Sequence, residues 1–160
     1  MIISTSRRPS QKTRKFCKNL STALGYKYMN RGKMSLRDLC LKSLEKDKNS
    51  ITIISEVKGN PSKISFLSNE GSKKLELNIS ANLNNGRLNI KADDLSFKCS
   101  KKGLEFIADI LSIKKNQSPI NNYILVRNHN KRNSIAIIEF YDDNGNKTEL
   151  KIAIKSLKSY

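Results

Sequence analysis

Apolar residues at helical spacing follow a short apolar run at the beginning of the chain. Residues 1–5 form that run, which is typical of a buried strand. Pro9 and Ser10 then predict a helix start, because proline suits the first turn and a serine side chain caps free backbone N–H groups. The predicted apolar face of this helix consists of Phe16, Leu20, Ala23 and Leu24. Gly25 is expected to end the helix.

A second strand, a second helix and a third strand complete the opening pattern. Residues 26–29 predict a short strand, and Ser35 with Asp38 three positions later forms a capping box that starts a helix. The residues that this helix is expected to bury are Leu36, Leu39, Cys40 and Leu44. Residues 51–57 are apolar and β-branched, which favours a central strand. The resulting βαβαβ order implies parallel strands with right-handed crossovers.

Beyond residue 57 the pattern changes to alternation of apolar and polar positions. A turn at residues 58–61 leads into strands predicted at residues 64–67, 75–79, 88–91, 95–99, 123–127, 135–141 and 150–154. One helix is predicted at residues 103–113, and Asn84, Asn85 and Gly86 predict a turn. The fold class is therefore α/β with a mixed sheet, and a division into two halves is expected near residues 80–86.

The net charge of the chain indicates what kind of partner it binds. The formal net charge is +17, from 31 Lys and Arg against 14 Asp and Glu. So large a charge repels itself in a compact protein, which indicates a polyanionic partner: nucleic acid first, an anionic membrane surface second. An AT-rich genome raises Lys, Asn and Ile together and accounts for part of this charge. It does not explain why residues 1–40 carry ten Lys or Arg and a single acidic residue, Asp38.

The clustered cations fall in loops that follow the predicted parallel strands. Both helices start at such loops, where free backbone N–H groups and the helix dipole favour anions. Because the strands are predicted to be parallel, the loops at residues 6–9, 30–34 and 58–61 leave the sheet at one edge. If the strand order is 2-1-3, Arg7 and Arg8 neighbour Lys58 and Gly59 there. We therefore expect one contiguous basic rim, made by Arg7, Arg8, Lys12, Arg31, Lys33 and Lys58. Backbone and shape readout of nucleic acid should dominate there, because Tyr26, Tyr28, Tyr123, Phe140 and Tyr141 are expected in the core or the sheet.

Catalytic candidates are few. His129 is the single histidine, and no partner that could position it as a general base is evident. Asp93 and Asp94 form an adjacent acid pair of the kind that can hold Mg²⁺, although a surface position is the simpler interpretation. Asp142 and Asp143 precede Asn-Gly and are expected in a turn. The sequence therefore predicts neither an enzyme nor a cofactor.

The cysteines and the hydropathy indicate the cellular compartment in which the protein is expected. Cys17, Cys40 and Cys99 are odd in number and contain no C-x-x-C pair, which favours free thiols in a reducing environment. They are also too widely spaced for a zinc site. No apolar run approaches the roughly 18 residues of a membrane span. We expect a soluble, cytoplasmic protein.

Three sequence blocks carry a resemblance to a known family. They begin at Thr5, Asn30 and Glu56 and read T-S-R-R-P-S-Q-K-T-R-K-F, N-R-G-K-M-S-L and E-V-K-G-N-P. In this order and at this spacing they resemble the Brix-domain proteins of ribosome biogenesis, in the branch related to the small-subunit processome protein that binds the U3 small nucleolar ribonucleoprotein. The resemblance covers residues 1–67. Because the long N-terminal extension of eukaryotic members is missing, the chain is similar to the compact archaeal form.

The resemblance implies a fold and a function. It implies a Brix domain over residues 1–160 with two half-domains, residues 1–82 (βαβαβ plus a hairpin) and residues 83–160 (strands plus one helix). Each half would resemble the anticodon-binding domain of class II aminoacyl-tRNA synthetases. The implied role is non-catalytic, in pre-rRNA processing and subunit assembly, with a ribosomal RNA precursor as partner. A guide RNA ribonucleoprotein or assembly proteins are further implied partners, whereas no small-molecule substrate and no membrane are expected.

The resemblance and the charge pattern together name the RNA-binding residues. Those expected to bind RNA are Arg7, Arg8, Lys12, Arg14, Arg31, Gly32, Lys33, Lys58, Gly59 and Asn60. The two glycines would let the backbone approach a phosphate closely. Two alternatives remain open from the residues alone: a protein–protein adaptor in the same pathway, and a metal-dependent RNA-processing enzyme that uses Asp93 and Asp94.

Overall fold

The computed structural model describes residues 1–45, 50–82, 86–131 and 133–160. In these parts ten strands form one mixed sheet, accompanied by three α-helices and a 3₁₀ turn at Ala92–Asp94. The helices are α1 (Gln11–Leu24), α2 (Leu36–Leu44) and α3 (Phe106–Ile110). The strands are β1 (Ile2–Thr5), β2 (Lys27–Tyr28), β3 (Ser50–Val57), β4 (Asn60–Ser68), β5 (Lys73–Ala81), β6 (Ser96–Cys99), β7 (Lys114–Lys115), β8 (Tyr123–Asn128), β9 (Ala136–Tyr141) and β10 (Lys147–Ser159).

Helix α1 has the caps and the buried face that its sequence predicts. The Ser10 side chain accepts a hydrogen bond from the Thr13 N–H, which satisfies one free donor of the first turn. Gly25 ends the helix with φ of 67°, a left-handed conformation that glycine adopts without a Cβ clash. The buried apolar side chains of α1 are Phe16, Cys17, Leu20, Ala23 and Leu24.

Helix α2 begins at the predicted capping box but buries a different stripe. The Ser35 hydroxyl accepts from the Asp38 N–H, and the Asp38 carboxylate accepts from the Ser35 N–H at 2.7 Å. Burial of Leu44 was predicted wrongly, because this side chain is 50% exposed. The buried side of the helix consists of Leu39, Cys40 and Ser43 instead. Leu44 follows Ser43 directly, and each residue of a helix is rotated by about 100° from the one before it, so the Leu44 side chain points away from the sheet.

The strand order at the start of the sheet is 2-1-3, which makes β1 and β3 neighbours. β1 pairs in parallel with both β2 and β3, and β3, β4 and β5 then pair antiparallel. β5 pairs antiparallel with β10, and beyond that pair the arrangement repeats. There, β6 pairs in parallel with β7 and β8, and β8, β9 and β10 pair antiparallel. Strand order and direction are thus the same on both sides of the β5–β10 pair.

Several predicted elements differ from the structure where long-range pairing decides. Residues 88–91 were predicted as a strand but do not form one, since their backbone runs to the 3₁₀ turn. Helix α3 is shorter than predicted, and β7, two lysines that follow it, was not predicted. β10 is much longer than its apolar run because β5 and β9 pair with it on either side. Of the predicted turn at Asn84, Asn85 and Gly86, the first two residues lie outside the described residues.

The two faces of the sheet are covered unequally. Helices α1 and α3 cover one face, where Phe16 and Ile107 belong to the same cluster as Phe97 and Phe140. Helix α2 lies on the other face, where Leu39 and Cys40 pack on Ile51 of β3. All three cysteines are free thiols, and burial raises the pKa of Cys17 to about 12. None of the described helices combines the length and apolar character needed to cross a lipid bilayer.

Glu76 of β5 links strand β4 to the end of the chain. Its carboxylate accepts hydrogen bonds from the Tyr160 hydroxyl and the Ser65 hydroxyl, and it lies 3.2 Å from the Lys73 ammonium and 3.7 Å from that of Lys63. The hydrogen bond from Tyr160 contributes most to a pKa of about 2 for Glu76, below its ordinary value of 4.5. Because the folded pKa lies below the unfolded one, the deprotonated carboxylate stabilises the fold.

We expect this stabilisation to be present above pH 4.5 and to be lost as the pH falls towards 2. Glu76→Gln should therefore unfold more readily than the natural protein at pH 6, and the difference should shrink between pH 4.5 and 2. Urea unfolding followed by circular dichroism measures it. Glu149→Gln, an exposed change on β10, is the matched control and should show no such convergence. A pH-independent difference for Glu76→Gln would contradict the prediction.

Candidate nucleic-acid interface

Three loops leave the sheet at one edge because β1, β2 and β3 are parallel. The first and third are joined directly: the Ser10 hydroxyl donates to the Gly59 carbonyl at 2.8 Å, and the Ser10 N–H donates to the Glu56 carboxylate at 2.9 Å. Hydrogen bonding to Thr13 and Ser10 holds the pKa of Glu56 below its usual value. Ser10 and Glu56 therefore fix the start of α1 against the β3–β4 connection. The sequence identified Ser10 only as a cap, since its contact with Gly59 spans 49 positions.

The β3–β4 connection is tighter than predicted. Val57 pairs with Asn60, so only Lys58 and Gly59 form the turn, and both have positive φ, 49° and 76°. This is the geometry of a type I′ hairpin turn, in which glycine is favoured and a lysine is held at a steric cost. Asn60 belongs to β4, and its side-chain amide donates to the Lys58 carbonyl at 3.3 Å. The turn projects the Lys58 side chain from the edge of the sheet into solvent.

Five of the predicted cationic side chains are exposed in this region. We call them the exposed rim: Arg7, Arg8, Lys12, Lys33 and Lys58. Among the described residues, none of the five forms an ion pair. Arg8 has φ of 52°, a left-handed conformation that is uncommon outside glycine, asparagine and aspartate. The exposed rim therefore combines unpaired positive charge with the N-terminal ends of two helices.

Arg31 has a different position from the one predicted. The residue is 7% exposed, and its guanidinium donates from Nε to the Met34 carbonyl at 2.7 Å and from Nη1 to the Thr5 carbonyl at 3.5 Å. Burial lowers the pKa of Arg31, and the positive charge of Arg7 lowers it further. Arg31 thus ties the second loop to the end of β1 rather than facing solvent.

The remaining predicted residues fall between these extremes. Gly32 is exposed with φ of 51°, and a Cβ there would meet no atom within 4 Å. Arg14 is half-buried on α1, and its buried Nε finds no hydrogen-bond partner among the described residues. A buried donor without a partner costs free energy. Gly59 is half-buried below the exposed rim and Asn60 is exposed.

The acidic pairs and the histidine do not converge on a reactive centre. Asp93 and Asp94 are exposed in the 3₁₀ turn. His129 Nδ1 lies 2.5 Å from the Ser134 hydroxyl oxygen. Within the described parts of the chain, no group of three His, Cys, Asp or Glu side chains is arranged to hold a metal ion.

Comparison with known proteins identifies relatives of this chain. No protein-family model matches it. A probable Brix domain-containing ribosomal biogenesis protein from Methanothermobacter thermautotrophicus is 43% identical over 74 residues, which cover 46% of this chain and 45% of that protein. Proteins of the same description from Methanococcus maripaludis and Archaeoglobus fulgidus are 36% and 44% identical over 103 and 94 residues. The chain is similar to archaeal Brix-domain proteins over about half of its length. The resemblance predicted from the three sequence blocks is thereby confirmed.

The matches span 45–60% of the length of these Brix-domain relatives. Solved structures extend the likeness over the whole chain. The crystal structure of Mil, an archaeal Imp4-like protein, superimposes with a TM-score of 0.88 at 25% identity, covering 100% of this chain and 99% of that one. A probable ribosomal biogenesis protein from Aeropyrum pernix K1 has the same fold, with a TM-score of 0.72 at 18% identity and coverage of 99% and 95%.

Proposed function

We propose that this chain is a non-catalytic RNA-binding factor of ribosome biogenesis, which holds pre-rRNA at the exposed rim during rRNA processing and subunit assembly. The observation that carries the proposal is the meeting of Arg7, Arg8 and Lys58 at one sheet edge, joined through Ser10 and free of ion pairs among the described residues. The description of the archaeal relatives as ribosomal biogenesis proteins supports the pathway. The compartment that follows for this role is the cytoplasm.

Some of the proposed residues contact phosphate, and one holds the binding loops in position. Arginine forks and lysine ammonium groups of the exposed rim bind phosphate oxygens. Gly32 and Gly59 let the RNA backbone approach, Asn60 contributes a side-chain amide, and Arg14 contributes the positive charge of a half-buried guanidinium. Arg31 acts as a positioning residue, since its guanidinium is engaged by two backbone carbonyls.

The proposed architecture is a Brix domain of two half-domains, residues 1–82 and 83–160, each similar to the anticodon-binding domain of class II aminoacyl-tRNA synthetases. The repeated strand order on the two sides of the β5–β10 pair supports this division. Helix α2 distinguishes the first half, because the described residues between β7 and β8 contain no helix. The exposed rim lies entirely in the first half.

Binding of purified protein to a small-subunit pre-rRNA fragment, with no other protein present, tests the proposal. Fluorescence anisotropy at about 0.15 M salt should give a Kd tighter than the roughly 10⁻⁶ M limit of non-specific binding. Weak binding that grows in proportion to RNA length would indicate a protein–protein adaptor, whose positive charge attracts RNA without a specific site. Incubating the labelled RNA with Mg²⁺ tests for an enzyme, and cleavage abolished by Asp93→Asn would contradict the non-catalytic role.

A further inference from the structure

The second half of the sheet has one face that α1 and α3 do not cover. Side chains on β8, β9 and β10 alternate, with Ile124, Ile138 and Ile152 in the core beneath the helices. The alternate set points the other way, and α2, which lies on that side of the sheet, packs on Ile51 in the first half. We call this set the open face: Tyr123, Leu125 and Arg127 on β8, Ile137, Glu139 and Tyr141 on β9, and Lys147, Lys151 and Ala153 on β10.

A buried carboxylate organises the centre of the open face. Glu139 is 1% exposed and receives two hydrogen bonds from the Arg127 guanidinium, at 2.9 and 2.8 Å, and an ion pair with the Lys147 ammonium at 2.5 Å. Burial alone would raise the pKa of Glu139, but the bonds from Arg127 and Lys147 hold it below its usual value. One carboxylate thus fixes two cations, whose side chains remain 41% exposed. Their surplus positive charge faces outwards.

A concavity of about 570 Å³ adjoins these cations. Its charged lining consists of Arg127, Lys131, Glu139, Lys147 and Lys151. Four cationic side chains thus surround one carboxylate that is already paired, and Lys131 and Lys151 form no ion pair among the described residues. Lys151 lies opposite Glu139 in the β9–β10 register, so its free charge is adjacent to the paired ones. This arrangement attracts an anion rather than a cation.

An aromatic pair lies on the same face beside the cations. Tyr123 and Tyr141 are opposite each other on β8 and β9, with ring centroids 4.3 Å apart and planes inclined by 7°. Tyr141 is also the register partner of Lys147, so the rings adjoin the cationic cluster. Aromatic rings beside a basic groove are the two parts of a site for single-stranded nucleic acid, since every base offers a π-face to stack and every linkage offers a phosphate.

We propose that the open face is a second RNA site, which binds a single strand by stacking a base on the Tyr123–Tyr141 pair and phosphates on Arg127, Lys147 and Lys151. An acidic protein segment would satisfy the charge but would leave the flat aromatic pair without a matching group. The choice of RNA as the polyanion rests on the proposed function. The site itself is separate from the exposed rim, because β3 and β10 are three strand spacings apart, roughly 14 Å.

The chain contains no tryptophan and five tyrosines, so stacking on the pair is visible as quenching of tyrosine fluorescence. Oligouridylate of about 10 nucleotides suits the length of a single-strand site. Tyr141→Leu should weaken its binding about tenfold and reduce the quenching, whereas Tyr141→Phe should retain both because the ring remains. Binding of duplex RNA, which cannot stack its bases there, should be the same in all three proteins.

A charge variant tests the phosphate contacts separately. Lys151→Gln should reduce the slope of log affinity against log salt by about 0.7, the value for one phosphate of a single strand. The matched control is Lys102→Gln, an exposed lysine before α3, which covers the opposite face. In the natural protein, photocrosslinking with 4-thiouridine in the oligonucleotide should label a peptide containing Tyr123 or Tyr141, and this readout does not depend on a variant folding.

The outcomes separate this inference from the proposed function. Unchanged binding by Tyr141→Leu and Lys151→Gln, or crosslinks that avoid β8 and β9, would overturn the second site while leaving the exposed rim intact. Failure of pre-rRNA to bind the natural protein would overturn the proposed function itself. Polyglutamate that displaces the oligonucleotide equally from natural protein and Tyr141→Leu would indicate an acidic protein partner and would also overturn the RNA site.

Discussion

Replacing Arg7, Arg8 and Lys58 together by glutamine is expected to flatten the dependence of log affinity on log salt by about two units. Four or five phosphates engaged by the natural protein should give a slope of about −3 to −4 for pre-rRNA, and each lost contact removes roughly 0.7–0.9. At about 0.15 M salt the same loss should weaken binding between about tenfold and a hundredfold. Fluorescence anisotropy at several salt concentrations measures both quantities.

The reason lies in how the three side chains are presented. Arg7 and Arg8 leave the end of β1, and Lys58 leaves the two-residue turn after β3, beside the start of α1. None of them contributes an ion pair to the fold among the described residues. Glutamine therefore removes charge from the exposed rim with little effect on stability, which should change by less than about 0.5 kcal/mol.

The matched control removes three charges elsewhere. Lys27, Lys101 and Lys102 lie near the start of β2 and after β6, at the opposite edge of the sheet given the strand directions. Their joint replacement by glutamine changes net charge equally and should leave the slope nearly as it was. Equal flattening by both triple variants would show that RNA responds to net charge alone, which would contradict a localised rim.

Arg31→Met is expected to lower the free energy of unfolding by about 2–3 kcal/mol, the cost of losing hydrogen bonds made by a charged donor. The change removes the guanidinium that holds the Thr5 and Met34 carbonyls and leaves those acceptors without it inside the protein. Urea unfolding followed by circular dichroism measures the loss. The prediction treats Arg31 as a structural arginine at the centre of a basic surface.

Lys33→Met is the matched control within the same loop. Lys33 is exposed, so its replacement should change stability by less than about 0.5 kcal/mol while reducing the salt slope by roughly 0.7. Arg31→Met should therefore change mainly the free energy of unfolding, and Lys33→Met should change mainly the salt dependence of RNA binding. An Arg31→Met protein of natural stability with a flattened slope would contradict the buried position of the guanidinium.

Local signals predicted the first half of the fold well. The helix caps depend on residues within four positions of the helix ends, so they can be predicted from sequence. These residues are Ser10, Gly25, Ser35 and Asp38. The βαβαβ pattern predicted parallel strands with right-handed crossovers, and the observed strand order is 2-1-3, the order considered for it. From the parallel direction of the strands followed the expectation that three distant loops leave the sheet at one edge.

The burial of single side chains was harder to predict. Leu44 is exposed because the contact line of α2 turns through Ser43, and Arg31 is buried because two carbonyls lie within its reach. Hydropathy favours the opposite result at both positions. The neighbours of a side chain depend on how whole helices and strands pack together. A sequence window of a few residues does not contain that information.

The sequence by itself determined the excess of positive charge near the start of the chain, the capped helices and the alternation of strands and helices at the start of the chain, since each depends on composition or on neighbours within a few residues. Only the tertiary structure decided that Ser10 meets Gly59, that Glu139 fixes Arg127 and Lys147, and that Tyr123 stacks on Tyr141. The last two contacts depend on strand register between β8, β9 and β10, and a shift of one residue would send these side chains to the opposite face. Register is set by the pairing of strands that are distant in sequence, which is why the open face could not be read from the chain.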